Sequence, residues 1–285
     1  MRNSGDCAAS RLELKFTLDA DATRLFVPVQ DPPWRAIRAF ANSQQQAVVH
    51  LHNVSGGILS DDSLRLSIKA GTSTRVQVTS VGATRIYRRR GDGATARQVT
   101  LIRVGDGAMV EYLPDVVIPF AGSRFSQSTA VSLGPNAGFI GWESLAAGRI
   151  ASGEEFGFDS FHSDCSVSSD QRPLALERYT LTPSGTDPRS IARWGRFRYS
   201  ATLYICHTGV AQSRWIGLES RLNDLAFGQT CDSSRWGVST LVAAGVVIRG
   251  LALEAHQITA GLHTFWNLAK QDIWGQPAIP PRKIN

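Results

Sequence analysis

Residues 48–88 read VVHLHNVSGGILSDDSLRLSIKAGTSTRVQVTSVGATRIYR and hold two runs of alternation. In the first, Leu64, Leu66 and Ile68 alternate with Arg65, Ser67 and Lys69; in the second, Val76 and Val78 alternate with Arg75, Gln77 and Thr79. Successive side chains on a strand point to opposite faces, so each run is expected to bury one face and wet the other. The Ala70-Gly71-Thr72 step between them predicts an antiparallel pair within a β-meander. Gly56-Gly57 can take positive φ without a Cβ clash, and Asp61-Asp62 suits a turn that opens the next strand. The segment has no cysteine and no nucleophile-base pair, and reads as scaffold.

Strand-like runs continue outward on both sides: LELKFTL from Leu12, AVVHLHN from Ala47 and QVTLIRV from Gln98. They recur as AMVEYLP, RFSQSTAVSL, FIGWESLAA, ERYTLTP, RYSATLYICH and TLVAAGVVIRGLAL. Many short strands broken by Gly, Ser, Asp and Pro predict an all-β architecture. No fixed repeat of the kind that marks a regular solenoid or propeller is visible. Helical signals are few. Residues 219–226 predict a short helix with Leu222 and Leu225 on one face, and residues 256–271 a longer one striped by Ile258, Leu262, Phe265, Trp266 and Leu268. Pro280-Pro281 cannot continue the second helix. With no linker rich in glycine or serine, residues 1–285 are expected to form a single domain, with 1–11 disordered and 256–285 a helical C-terminal extension.

The 285 residues are 42% hydrophobic and 19% charged, enough apolar content for a sizeable core. The formal charge of +6 suits an acidic surface, but basic residues are dispersed apart from Arg88-Arg89-Arg90. No aromatic interleaving accompanies that cluster, which argues against nucleic acid. Cys7, Cys165, Cys206 and Cys231 show neither CxxC spacing nor a disulfide framework. The N-terminus lacks the apolar core of a signal peptide, and no run reaches the roughly 20 apolar residues of a membrane span, so a soluble cytoplasmic protein is expected.

Chemistry-bearing residues are sparse. His50 and His52, two apart on a strand, could present both imidazoles to one ion. Glu111 and Glu143 fall within otherwise apolar strands, where a carboxylate must be paired, hydrogen-bonded or bound to a cation. An arginine such as Arg85 or Arg149 is the expected partner. GxSxG, GxxxxGK[ST] and GxGxxG patterns are missing, so nucleotide hydrolysis and serine-hydrolase chemistry are not expected of this chain.

Several segments resemble the urease accessory protein family of the UreD/UreH type: HLHNVSGGILSDDSL from His50, TSVGATRIYR from Thr79, VEYLPDVVIPFAGSRF from Val110, GWESLAAGRIASGEEF from Gly141, PLALERYTL from Pro173 and WGQPAIPPRKIN from Trp274. Their order and spacing hold from about Arg35 to Arg282. The resemblance implies an irregular, β-helix-like stack of strands with a few helices. It implies a non-enzymatic, chaperone-like maturation factor that binds urease apoprotein, a helical accessory protein and a GTPase accessory protein, with room for a homodimer in that complex. Nickel(II) would be in transit through an internal channel rather than held as a cofactor. On this reading Glu111, Glu143, His50 and His52 are candidate route residues, and Arg85, Tyr87, Arg88, Trp266 and Trp274 candidate docking residues. Two features depart from the family pattern: Ala83-Thr84-Arg85 stands where a lysine is common, and the opening MRNSGDCAASRLEL lacks the usual glycine and tryptophan. An all-β carbohydrate-binding module using the seven tryptophans is the alternative. A hydrolase in which Glu111 and Glu143 converge is a third reading.

Overall fold

The computed structural model describes residues 9–281. Its strands are, in chain order, β1 (Ser10–Asp19), β2 (Ala22–Gln30), β3 (Trp34–Arg35), β4 (Ala39–Ala41), β5 (Ala47–Asn53) and β6 (Ser63–Ala70). There follow β7 (Arg75–Ser80), β8 (Thr84–Ile86), β9 (Ala96–Val104), β10 (Met109–Leu113), β11 (Val117–Pro119) and β12 (Arg124–Leu133). The remainder are β13 (Gly138–Ala146), β14 (Ser160–Ser169), β15 (Arg172–Leu181), β16 (Tyr199–His207), α1 (Gln212–Gln229), β17 (Ser234–Thr240), β18 (Gly245–Ala252) and α2 (Ala255–Trp274). They make two sheets, one of seven strands ordered β15-β14-β12-β9-β6-β1-β2 and one of eleven strands whose main path is β17-β18-β16-β13-β10-β7-β5-β3.

From β5 to β14 the chain passes back and forth between the two sheets, so neighbours within a sheet come from successive circuits and run parallel. In the first sheet Ser10 lies beside Leu64, Ser63 beside Arg97, Ala96 beside Phe125 and Arg124 beside Ser160. Each circuit is a rung of a β-helix-like coil. The rungs differ in length, which hides the repeat from inspection of the sequence.

This topology overturns the expected hairpin at Ala70-Gly71-Thr72. β6 pairs with β1 and β9 in one sheet, and β7 with β5 and β10 in the other. Alternation fixes which face of a strand is apolar but not its partner or direction. Gly71 turns the corner: its N–H donates to Phe16 O at 2.9 Å, and a Cβ there would stand 2.9 Å from that same oxygen. The expected wet face of the second run is also corrected, because Gln77 and Thr79 are buried. β7 lies in a layer covered on both sides, by the first sheet and by the C-terminal elements, as parallel strands usually are.

Two apolar cores result. One fills the space between the sheets and includes Leu14, Phe16, Leu66, Ile68, Val78, Phe125 and Phe161. The other joins the outer face of the eleven-stranded sheet to both helices through Ile140, Leu203, Ile205, Trp215, Leu218, Phe265 and Trp266. Fully burying each such side chain stabilises the fold by roughly 1.5–3 kcal/mol. Trp236 wedges against Gly261 of α2, where a Cβ would lie 2.1 Å from the indole.

Helix α1 is longer than the predicted residues 219–226, because Trp215, Leu218, Leu222 and Ala226 form one buried stripe. α2 runs past the predicted end to Trp274 and stops at Gly275 with φ 65°. The run TLVAAGVVIRGLAL is divided by a turn between β17 and β18, while β2 and the serine-rich β14 carry too weak a pattern to be predicted. Ser10 and Arg11 lie in β1 and not in a disordered terminus; residues 1–8, with Cys7, and 282–285 lie outside the described residues. Among the described residues no helix is long and apolar enough to cross a membrane.

Candidate functional site in the space between the sheets

Parallel, in-register pairing aligns like positions of successive rungs. Across the seven-stranded sheet Gln98, Gln127, Ser163 and Tyr179 form one row, and Thr100, Thr129, Cys165 and Glu177 the next. These two polar rows interrupt apolar rows such as Phe125–Phe161 and Ile102–Val131–Val167. The facing sheet sets Glu143, Thr202 and Arg249 side by side. Glu143 projects inward and accepts hydrogen bonds from Thr129 Oγ1 at 2.8 Å, Ser163 Oγ at 3.0 Å and Gln127 Nε2 at 3.1 Å.

Glu143 has no cationic partner among the described residues. Burial pushes its carboxyl above the ordinary range, the hydrogen bonds from Thr129, Ser163 and Gln127 oppose that, and Glu177 pushes it up further. The thiol and phenols around it are held protonated. Burial raises Tyr112 to about 12, and raises Cys165, Tyr179 and Tyr204 as well.

Gln127, Glu143 and Ser144 belong to the walls of two cavities, of about 260 Å³ and about 690 Å³. The smaller is also lined by His52, Arg85, Tyr112 and Asp115, the larger by Glu177, Tyr179, Thr202, Arg193, Arg235 and Arg249. Glu143 therefore stands at the partition between them. Glu177 accepts from Tyr204 Oη at 3.1 Å, Thr202 Oγ1 at 3.2 Å and Arg249 Nη2 at 2.6 Å.

Glu111 is elsewhere. It lies beside Ile140, three residues before Glu143, so the two carboxylates project from opposite faces of the eleven-stranded sheet. That separation removes the paired-carboxylate hydrolase reading. Glu111 Oε1 meets Lys270 Nζ at 2.7 Å and Trp266 Nε1 at 3.1 Å, while Oε2 accepts from Gln77 at 2.9 Å and Gln46 at 3.2 Å. Its partner is thus Lys270 of α2 and not the expected arginine. Arg85 is exposed, and Arg149 pairs with Glu154. Glu111 and Lys270 are 0% and 2% exposed, and Gln77 also holds Ile279 O at 2.9 Å, which straps the tail across this face.

His52 lines the smaller cavity, whereas His50 sets its ring edge-on to Phe40 at 6.3 Å. Among the described residues no three His, Cys, Asp or Glu side chains cluster to hold a metal ion. Of the docking candidates, Arg85 and Arg88 are exposed, and Tyr87 is half-buried against Phe120 with ring centroids 5.1 Å apart. Trp266 is fully buried, so it cannot touch a partner, and Trp274 packs on His207 at 5.6 Å. Of the seven tryptophans five are buried, and Trp236 and Trp274 are partly buried.

Gln127, Thr129, Ser163, Glu177 and Tyr204 were not among the predicted site residues. Their signal lies in RFSQSTAVSL and SFHSDCSVSS: Gln127 and Thr129 alternate in phase with Phe125 and Val131, and Ser163 and Cys165 with Phe161 and Val167. Polar residues in the apolar phase of a strand mark a polar spot inside.

The profile of the UreD urease accessory protein family matches residues 8–285. The chain belongs to the UreD family of urease accessory proteins. The UreD protein of Herpetosiphon aurantiacus is 39% identical over 274 residues, 96% of this chain and 95% of the relative. That of Deinococcus radiodurans is 29% identical over 273 residues, 96% and 94% of the two chains, and that of Dechloromonas aromatica 34% identical over 239 residues, 82% and 79%. In this UreD chain the polar rows and Glu143 lie inside the matched region.

Two outcomes follow from these carboxylates. Removing one member of a buried ion pair strands the other, so Glu111→Leu or Lys270→Met alone should lower unfolding free energy by roughly 3–5 kcal/mol. The Glu111→Leu/Lys270→Met double variant should recover most of that loss in a urea titration; additive losses would refute the pairing. For Glu143 the raised folded value means its contribution is fully present below the unfolded value and fades as pH rises through the folded one. Metal-free Glu143→Gln should therefore match wild type in acid and exceed its Tm increasingly toward neutral pH. A Tm difference independent of pH would show that Glu143 is not strained by ionisation.

Proposed function

We propose that this chain serves urease maturation as a chaperone-like scaffold through whose interior nickel(II) passes on its way to the urease apoprotein. The observation that carries the reading is Glu143: a buried carboxylate with three neutral donors and no cation, at the partition between two cavities. Ionising it there is unfavourable until a cation arrives, which supplies a driving force for transient occupancy. Its remaining neighbours are hydroxyls, an amide and a protonated thiol, weaker donors than a closed set of thiolates or imidazoles, and a carrier must release what it holds. His52 at the smaller cavity supplies an imidazole on the same path.

In this scheme Glu111 holds the fold and is not on the path, because its carboxylate already faces Lys270. The helical accessory protein and the GTPase accessory protein act beside the chain in the cytoplasm, the GTPase providing the nucleotide chemistry for which this sequence has no motif. Arg85 and Arg88 remain available at the surface for docking.

The test is urease activation in a host carrying the urease genes and this chain. Glu143→Gln, which keeps the side chain's shape, is expected to lower nickel-dependent urease activity by about tenfold or more while the chain still co-purifies with urease apoprotein. Full activity with Glu143→Gln would overturn the interior route. Loss of co-purification would assign Glu143 to assembly instead.

A further inference from the structure

Three arginines line the mouth of the larger cavity, and among the described residues two of them have no carboxylate partner. Among the described residues Arg193 has no ion-pair or side-chain hydrogen-bond partner. The Arg235 guanidinium donates only to backbone carbonyls, of Cys231 and of Ser234, and lies 5.9 Å from the Phe197 ring centroid. Both are exposed and both line the cavity. Arg249, exposed like the other two, also lines the cavity and is the one of the three that forms an ion pair among the described residues, with Glu177. The space behind them, about 690 Å³, is within the size range of small-molecule sites and is walled by Trp194, Tyr179, Thr180 and Thr202.

Guanidinium groups present several donors in a fixed fork that matches a carboxylate, and here two of them line one cavity with no carboxylate partner among the described residues. The eleven-stranded sheet extends past β15, the edge strand of its partner sheet, through β18 and β17. Arg249 and Arg235 come from that overhang, and Arg193 from the loop after β15. Gly237, beside Arg249 in the register, has no atom within 4 Å of where a Cβ would stand, so the floor between the arginines is open.

We infer that this mouth is a binding site for a small anion bearing two or more carboxylates, held by Arg193 and Arg235 beside the Arg249–Glu177 pair. The smaller cavity differs: its wall sets one arginine, Arg85, against Asp115 and His52, a balance that does not favour an anion. A bare dication approaching the larger cavity would meet uncompensated positive charge, whereas a metal chelated by a polycarboxylate would be attracted. The anion site does not depend on the cation route past Glu143.

Citrate is the probe, titrated calorimetrically into the full-length, metal-free chain in a carboxylate-free buffer. Saturable binding is expected, weakening as salt is raised, with succinate binding less tightly than citrate. Arg193→Ala/Arg235→Ala, two exposed positions, should keep the wild-type Tm and weaken citrate binding about tenfold or more. Glu143→Gln should bind citrate as wild type does, which separates this site from the cation route. Absence of saturable citrate binding to wild type, or equal affinity in the double arginine variant, would overturn the inference.

Discussion

Parallel in-register stacking is the constraint on which the rest of this molecule depends. Each circuit of the chain lays a strand beside the equivalent strand of the circuit before, so a residue at one position of a rung falls beside its counterpart in the next. Apolar counterparts then form continuous rows, and the space between the sheets is filled by them. Polar counterparts form rows too, and where Gln127, Thr129 and Ser163 come level with Glu143 the core becomes a place that can hold a carboxyl group. A polar cluster of this kind requires several rungs in one register. No single strand supplies it.

The two buried glutamates show how the same residue type does opposite work on the two faces of one sheet. Glu111 is neutralised by Lys270 and further held by Trp266, Gln77 and Gln46, which fastens α2 and the tail to the sheet. Such a pair specifies where the helix sits more than it adds to stability, since desolvation offsets much of the attraction. Glu143 is buried without a cation, and that burial raises its proton affinity against the hydrogen bonds that oppose it. The first arrangement closes a layer, while the second leaves an unmet electrostatic demand inside a cavity wall.

Much of the architecture was legible in the sequence. Alternation at Leu64–Ile68 and Val76–Val78 located two strands, and the apolar stripe through Ile258, Leu262, Phe265 and Trp266 located the C-terminal helix. Pairing was not legible, because alternation looks the same in a hairpin and in a coil that changes sheets at Gly71. Glu111 and Glu143 were recognisable as buried carboxylates from their apolar surroundings, but their partners were not. Lys270 stands 159 positions from Glu111, and Ser163 twenty from Glu143, so only the completed topology brings them together. Trp266 illustrates the reverse error, since a tryptophan near the C-terminus looks like a docking residue until α2 buries it.

In the proposed route Glu143 is the stopping point for the cation. Crystals of the chain soaked with nickel(II) and measured at the nickel absorption edge test this directly, because anomalous scattering locates the metal without reference to activity. A peak is expected within coordination distance of the Glu143 carboxylate, between the two cavities. Peaks confined to the surface, with the interior empty at saturating nickel, would contradict the route.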